Sequence, residues 1–392
     1  MRALEGSQSI GGSSGWQPGY LVIRGPKHPL AATETPRRDE SGTPEPELSA
    51  RDEAKDSDAS PNESEAQVIW GAVAAFVKDH SYGEYIFDFQ WAQAAQRAGL
   101  SYYPKLVVAA PVTPATGPRI LIHPALGEEL RKSVQVALIE AVREFADATR
   151  CSSIHWLFCT AEEQALLEEL EFTPRDSLQY HWHNRGYADF DAFLGEMQSR
   201  KRKKFKKERR RVHEQIDALE WREGDAIGPE QIAAMERFYR RTTSEHWGRA
   251  YLEPGFFELL VEHHRDRVRF VEVTHRGEVA AGALFLETEG ALYGRYWGAS
   301  VELDCLHFET AYYAGIERCI EKKIPLFEAG AQGEHKLLRG FEPSITRSAH
   351  WMRHPGLHRA IAEFCEHEAR ELSARRGELA SYGPYRVDEG PD

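Results

Sequence analysis

The chain has 392 residues, of which 41% are hydrophobic and 28% charged, with a formal net charge of −13, enough apolar content to bury two ordinary cores. No apolar run reaches the ~18 residues that a membrane helix needs, and Met1–Ser7 lacks the apolar segment of a secretory signal, so a cytoplasmic protein without a membrane span is expected. Five cysteines, Cys151, Cys159, Cys305, Cys319 and Cys365, show no C-x-x-C spacing, which argues against a disulfide framework and a zinc knuckle.

In chain order, Tyr20–Ile23 reads as a first strand. The stretch from Ala31 to Ala66 is rich in Pro, Glu, Asp, Ser and Thr and nearly free of aromatic and β-branched residues. It cannot offset its chain entropy by burial, so a disordered acidic insertion is expected, dispensable over Thr33–Ser64. Trp70–Val77 reads as the next strand, followed by strands Leu106–Ala110 and Ile120–His123, a helix Glu128–Thr149, a strand Ile154–Phe158, a helix Ala161–Leu170 and a strand Gln179–His183. The second half repeats the grammar. Helices Pro229–His246 and Pro254–His264 precede strands Val268–Thr274, Val279–Glu287 and Ala291–Trp297. A long helix ending at Lys322, a strand Pro325–Glu328 and a closing helix from Leu357 follow. Helices beside a mixed sheet, twice over, give an α/β or α+β class.

Between the halves, ten cationic side chains and one carboxylate from Arg200 to Arg211 carry a formal +9, which leaves −22 on the remainder. Three uses fit such a helix: a solvated face paired with the acidic bulk, a docking surface for RNA or another polyanion, or a grip on a substrate phosphate. Only Phe205 interleaves the run, which favours backbone-phosphate contact over base stacking.

Chemistry is densest in Phe327–Pro343, where polar, glycine and titratable residues follow an apolar strand-like run. Leu292–Ala299 and Asp304–Thr310 lie upstream and read with it as one site assembled from consecutive elements. A metal is not expected: His350, His354 and His358 share a four-residue spacing, but Pro355 interrupts it and no further ligands complete a tetrahedral set. His80–Glu84 holds nucleophile and base types without a Gly-x-Ser-x-Gly elbow, so serine hydrolysis is not expected. Tyr82 and Glu84 stand as binding candidates.

Tyr293-Gly294-Arg295-Tyr296-Trp297-Gly298, Leu306-His307-Phe308-Glu309, Glu328-Ala329-Gly330-Ala331-Gln332-Gly333-Glu334-His335-Lys336 and Arg339-Gly340-Phe341-Glu342-Pro343 together resemble a bacterial family of GNAT-type N-acyltransferases. That family is labelled FemAB-like, or peptidoglycan biosynthesis/recognition. The resemblance extends to Asp79–Asp88, Tyr102–Leu106 and Thr113–Arg119. It implies tandem GNAT-like domains with mixed sheets flanked by helices: a first domain over 1–188, a basic connecting helix over 189–216, a second domain over 217–380 and a tail over 381–392.

Acyl transfer to an amine needs a proton acceptor, donors for the tetrahedral oxyanion and an acid for the leaving group. Glu328, at a strand end, with His335 or Glu309 from neighbouring elements, are the candidate catalytic residues. Arg295, Tyr296, Trp297, His307, Gln332, Lys336 and Arg339 are candidates for holding substrate. The bland alternative is a buried ion-pair network joining Glu328 or Glu309 to Arg295. Gly117 and Arg119 lie where the resemblance implies an acyl-CoA pyrophosphate, although prolines thin the loop's donors and a plain structural turn fits equally. The expected activity is transfer of an acyl or aminoacyl group from acyl-CoA or aminoacyl-tRNA to a small-molecule or peptide amine, such as a cell-wall precursor, with no resident cofactor. The rival is a noncatalytic protein of the same fold that binds a cell-wall fragment or RNA.

Overall fold

The computed structural model describes residues 1–27, 67–246, 250–331 and 333–386. The expected acidic insertion and the candidate Gln332 lie outside the described residues. The first half runs α1 (Arg2–Gly6), β1 (Gln17–Pro26), β2 (Gln67–Lys78), α2 (Phe89–Arg97), β3 (Lys105–Val108), β4 (Ile120–Ile122), α3 (Glu128–Ala148), β5 (Ser153–Cys159), α4 (Ala161–Glu169), β6 (Thr173–His183), α5 (Phe190–Gly195) and α6 (Ser199–His213). The second half runs β7 (Ala218–Glu223), α7 (Pro229–His246), α8 (Phe256–His264), β8 (Val268–His275), β9 (Glu278–Glu287) and β10 (Ala291–Ala299). Then come α9 (Leu306–Phe308), a π-helical turn (Glu309–Tyr313), α10 (Ala314–Glu321), β11 (Leu326–Glu328), a 3-10 helix (Glu334–Arg339), β12 (Glu342–Met352) and α11 (Pro355–Ser381).

Two compact units result. The smaller comprises Tyr20–Ala74 and Ile120–Phe145. In it β2 pairs antiparallel with β4, from Gly71↔Ile122 to Val73↔Ile120. A Cβ on Gly71 would approach Val134 and Leu138 of α3 to 2.8 Å, so glycine is what lets that helix lie close on the strand.

The larger unit comprises Met1–Gly19, Ala75–Arg119 and Ala146–Asp392. Its strands follow the order β3-β5-β12-β6-β11-β10-β9-β8-β7, and the last residues of β2 pair with β3. Two neighbour pairs are parallel, β3 with β5 and β10 with β11. Each parallel pair is linked in the chain through helix, the connection that parallel strands require. The remaining pairings are antiparallel, which makes this the expected mixed sheet flanked by helices.

The sequence reading lacks α1, α2, α5, β7 and β12, and β12 changes the architecture. It pairs antiparallel with β6 from Glu342↔His181 to His350↔Thr173, and with β5 from Arg347↔Cys159 to Met352↔Ser153. A strand from the end of the chain therefore sits between two strands of its beginning. Hydrogen bonding in this unit is unbroken from β5 to β11, and the compact units do not divide at 189–216. β5, with a strand on each side, is buried at all seven positions, as central strands are.

One core surrounds Trp182, Phe193, Phe205, Tyr313, Phe327 and Phe341. Another joins α7 and α8 to the sheet through Phe238, Phe257, Phe270 and Leu284. Helix α6 buries a single line of Phe205, Glu208 and Val212; Phe205 enters the first core, its ring 5.0 Å from Tyr313, while Val212 packs in a separate cluster with Val273, Ala281 and Leu306. Around that line Lys206 pairs with Asp191 at 2.7 Å, Arg211 with Asp304 at 2.9 Å, and Arg209 with Glu309 at 2.9 Å and Glu317 at 2.8 Å. The helix thus folds by neutralising one side. Arg200, Lys201, Arg202, Lys203 and Lys207 form no ion pair among the described residues.

Candidate functional site

Parallel strands β10 and β11 stay paired only from Ala291↔Leu326 to Tyr293↔Glu328, and β10 then bulges between Gly294 and Tyr296. A bulge re-aims side chains and ends pairing. On its other edge β11 pairs with β6, which sets Glu328 opposite His181. Glu328 is buried; the Thr116 backbone N–H donates to its carboxyl, with the Arg119 and Arg295 charges nearby. Its Oε2 has no hydrogen-bond partner among the described residues and lies 4.0 Å from His181 Nε2.

Burial raises the Glu328 pKa to about 7, against the lowering pull of the Thr116 bond and the two arginines. Burial also lowers that of His181 to about 4, so at neutral pH this histidine is uncharged and the contact is not an ion pair. A carboxyl group that titrates near neutrality and keeps an open lone pair is equipped to take up a proton and pass it on.

Two cavities flank the bulge. One of about 180 Å³ is lined by Tyr85, Tyr239, Tyr251, Arg295, Tyr296 and Trp297, with Gly330 and Ala331 from the turn after β11. The other, about 140 Å³, shares Arg295, Tyr296 and Trp297 and adds His307, Tyr312 and Ala329. Among the described residues Arg295 is the one cationic side chain lining both. It donates to Val112 O and, at 3.3 Å, to Tyr296 Oη, and no carboxylate pairs with it among the described residues. Trp297 Nε1 donates to Thr310 Oγ1 at 2.7 Å, which holds the indole in place. The expected set Arg295, Tyr296, Trp297 and His307 is therefore brought together around the bulge, and of these Arg295 is near enough to act on the Glu328 charge.

The 3-10 helix carries His335, Lys336 and Arg339. His335 Nε2 meets Tyr312 Oη at 2.9 Å, and burial, then Arg339 and Lys336, lower its pKa. Lys336 is buried and donates from Nζ to Gly330 O at 2.8 Å; burial alone lowers its pKa to about 7. Because Gly330 lines the larger cavity, Lys336 braces its floor. Arg339 stacks 3.3 Å over the Phe308 ring and donates from Nη1 to His335 O at 2.9 Å. His335 thus belongs to an aromatic cluster with His307, Phe308 and Tyr312, and no bond joins it to Glu328.

Other expected residues take different positions. Glu309 sits in an ion pair: its carboxylate, 1% exposed, is held by Arg209 Nε and Nη2 at 3.0 and 2.9 Å and faces His213 Nε2 at 3.3 Å. It clasps the π-helical turn to α6, and its partner is Arg209 rather than Arg295. The Gly117–Arg119 loop is closed on the protein itself. Gly117 N–H donates to Phe158 O at 3.1 Å, a Cβ there would meet open space, and Arg119 donates to Leu157 O, Ala115 O and Phe158 O. Those donors are committed to carbonyls, so the loop offers a pyrophosphate little. Glu84 is buried beside Lys105 Nζ at 2.8 Å, whereas Tyr82 stands exposed at a separate cavity. His181 and Thr116 were missed by the sequence reading, because His181 reaches Glu328 only through the pairing of β6 with β11 and Thr116 from a loop far away in the chain. Among the described residues no group of three or more His, Cys, Asp or Glu could hold a metal ion, and no helix is long and apolar enough to cross a membrane.

A family profile described as FemAB-like, peptidoglycan biosynthesis/recognition, matches residues 60–387. No curated protein matches the sequence. Among solved structures, that of FemX is similar at 10% identity, covering 89% of this chain and 91% of that one with a TM-score of 0.48. The C-terminal domain of a putative lysylphosphatidylglycerol synthetase from Agrobacterium fabrum is similar at 10% identity, covering 73% and 84% with a TM-score of 0.45. A tandem GNAT protein from the clavulanic acid biosynthesis pathway is similar at 12% identity, covering 73% and 80% with a TM-score of 0.37.

Proposed function

The chain belongs to the FemAB-like family, and on that premise we propose that it is an N-acyltransferase moving an acyl or aminoacyl group from an activated donor to an amine of a cell-wall precursor. One observation carries this reading: Glu328 is a buried carboxyl group with a pKa of about 7 and an Oε2 without a partner among the described residues, set near Arg295 where β10 and β11 part.

In the proposed step the amine nitrogen attacks the donor carbonyl carbon and forms the new C–N bond. Glu328 takes the proton that the amine loses. The C–S or C–O bond to the donor then breaks, and Glu328 passes that proton on to the leaving thiolate or alkoxide. Arg295 holds an anionic group of the substrate, while Tyr296 and Trp297 enclose the reacting atoms away from water. The donor is acyl-CoA or aminoacyl-tRNA. The closed Gly117–Arg119 loop weighs against the first, and the α6 cations that form no ion pair among the described residues favour a polyanion, which supports the second.

The test is thermal stabilisation by acetyl-CoA, longer acyl-CoAs, and charged and uncharged tRNA at two salt concentrations, together with turnover of Glu328→Gln. A salt-sensitive shift, larger for charged tRNA, is expected, with transfer reduced by about 100-fold or more in the variant. Full turnover in Glu328→Gln would remove the proposed role. Silence from every donor would move the reading to a noncatalytic binding protein.

A further inference from the structure

The loop after β3 reaches Glu328 by two routes. Thr116 N–H donates to the Glu328 carboxyl directly. Two residues earlier in the same loop, Pro114 O accepts from Gln179 Nε2 at 3.3 Å. Gln179 and His181 lie two positions apart on β6, so their side chains leave the same face of the sheet, and both are buried, at 3% and 7% exposure. Gln179 Oε1 lies 3.2 Å from His181 Nε2. Pairing of β6 with β11 sets His181 opposite Glu328, and its Nε2 is 4.0 Å from Glu328 Oε2. A row of polar groups thus runs from Pro114 O through Gln179 and His181 to the carboxyl.

Donor and acceptor chemistry fixes where the protons of this row lie. A carbonyl oxygen only accepts, so the Gln179 amide turns its NH2 to Pro114 O and its oxygen to His181. The amide oxygen also only accepts, so His181 Nε2 carries the ring proton and donates it to Gln179. Burial keeps the ring neutral, with that one N–H to give. The proton is held by Gln179 at 3.2 Å, while Glu328 Oε2, at 4.0 Å, is beyond hydrogen-bond reach. A buried N–H deprived of its acceptor takes the next one in reach, here the carboxylate. A bond of that kind would favour the ionised form of Glu328 and occupy the oxygen.

We propose that Gln179 is a positioning residue for Glu328: anchored on Pro114 O, it takes the His181 Nε2 proton and keeps it off Glu328 Oε2, so that this oxygen stays available to the substrate amine. The purpose of the arrangement rests on the transfer reading above; its hydrogen-bond order does not. The Thr113–Arg119 loop thereby gains a role other than pyrophosphate binding, because Pro114 and Thr116 both set the state of Glu328. Pro114 also lines the 180 Å³ cavity, which places this control at the edge of the space where Arg295 stands. The other charged and titratable groups that act on Glu328 are Arg119 of the loop and Arg295 of β10, with Tyr293 of β10 feeling its charge in turn, and Lys336 acts on His181.

Carboxyl 13C NMR of the full chain labelled at glutamate, with the Glu328 resonance identified by its loss in Glu328→Gln, follows this titration without any substrate. In Gln179→Met, or in Gln179→Leu should the methionine variant not fold, the Glu328 midpoint is expected to fall by about one pH unit or more. Combining either with His181→Phe is expected to restore the wild-type midpoint, and His181→Phe alone to leave it there, because the histidine proton does not serve Glu328 in the wild type. An unchanged midpoint in the Gln179 variants overturns the proposal, as does a fall that persists without His181. A shift of about one unit in His181→Phe alone overturns it as well, since His181 would then already be bonded to Glu328. With an active enzyme the acid limb of kcat/KM should move with the carboxyl. Midpoints that behave as expected in a protein that transfers to no amine would defeat the transfer reading alone, and midpoints that do not, in an active enzyme, would defeat the role of Gln179 alone.

Discussion

Glu328 and Lys336 are both buried ionisable groups with pKa values displaced to about 7, but from opposite sides. The raised carboxyl favours the folded state in its protonated form, a contribution fully present below the ordinary carboxylate range and lost as pH rises through about 7. Glutamine mimics that neutral form. Glu328→Gln is therefore expected to melt higher than the wild type at pH 8 and with it at pH 4, while losing transfer; equal melting at both would contradict the buried, titrating carboxyl. Lys336 has the depressed pKa, so its contribution is present above the ordinary lysine range and lost as pH falls toward about 7. Lys336→Met should raise the melting temperature more at pH 7 than at pH 10, by a stability gain on the order of 2 kcal/mol at the lower pH, net of the lost bond to Gly330 O. A loss at pH 7 would show that this hydrogen bond outweighs the desolvation of the ammonium.

At the scale of elements, α6 joins two functions on two faces. Phe205, Glu208, Val212 and Arg209 hold it to the π-helical turn and α10, and the clasp of Arg209 on Glu309 is nearly closed to solvent. Removing one partner strands a buried charge, so Arg209→Ala is expected to destabilise the protein by about 3–5 kcal/mol, measurable by urea unfolding. A change below ~1 kcal/mol would place the pair among solvated surface bridges. The opposite face carries Arg200, Lys203 and Lys207, which form no ion pair among the described residues. Reversing these three to glutamate should leave the melting temperature within a few degrees yet abolish any salt-dependent tRNA stabilisation. Retention of that stabilisation would remove α6 from the donor site. The density of charge in this helix was legible in the sequence. Its division into a clasping and a free face was not, because Asp191, Asp304, Glu309 and Glu317 come to it from distant parts of the chain.

For the whole molecule, β12 is the feature that local pattern does not disclose. Its Glu342–Met352 carries Pro343 and alternates polar and apolar residues weakly, and its buried Ser348 and His350 find each other and His155 only inside the sheet. Strongly patterned segments such as α7, β8 and β9 were legible nearly to the residue, since periodicity alone specifies them. Arg295, Tyr296, Trp297 and His307 were legible as a pocket because consecutive elements carry them. The partner of Glu309 was not legible, because the fold delivers Arg209 to it from a distant helix. Since β5 and β6 both pair with β12, a chain ending at Gly340 should fail to fold cooperatively; a soluble fragment with the melting temperature of the whole would refute the interior placement of this strand. The most direct measurement is the pH dependence of kcat/KM for transfer, in the wild type and in Glu328→Gln. The account requires a wild-type rate that rises with pH to a plateau above a midpoint near 7, the titration of Glu328, and a residual rate in the variant without that limb. A limb of the same midpoint surviving in Glu328→Gln at undiminished rate would contradict it.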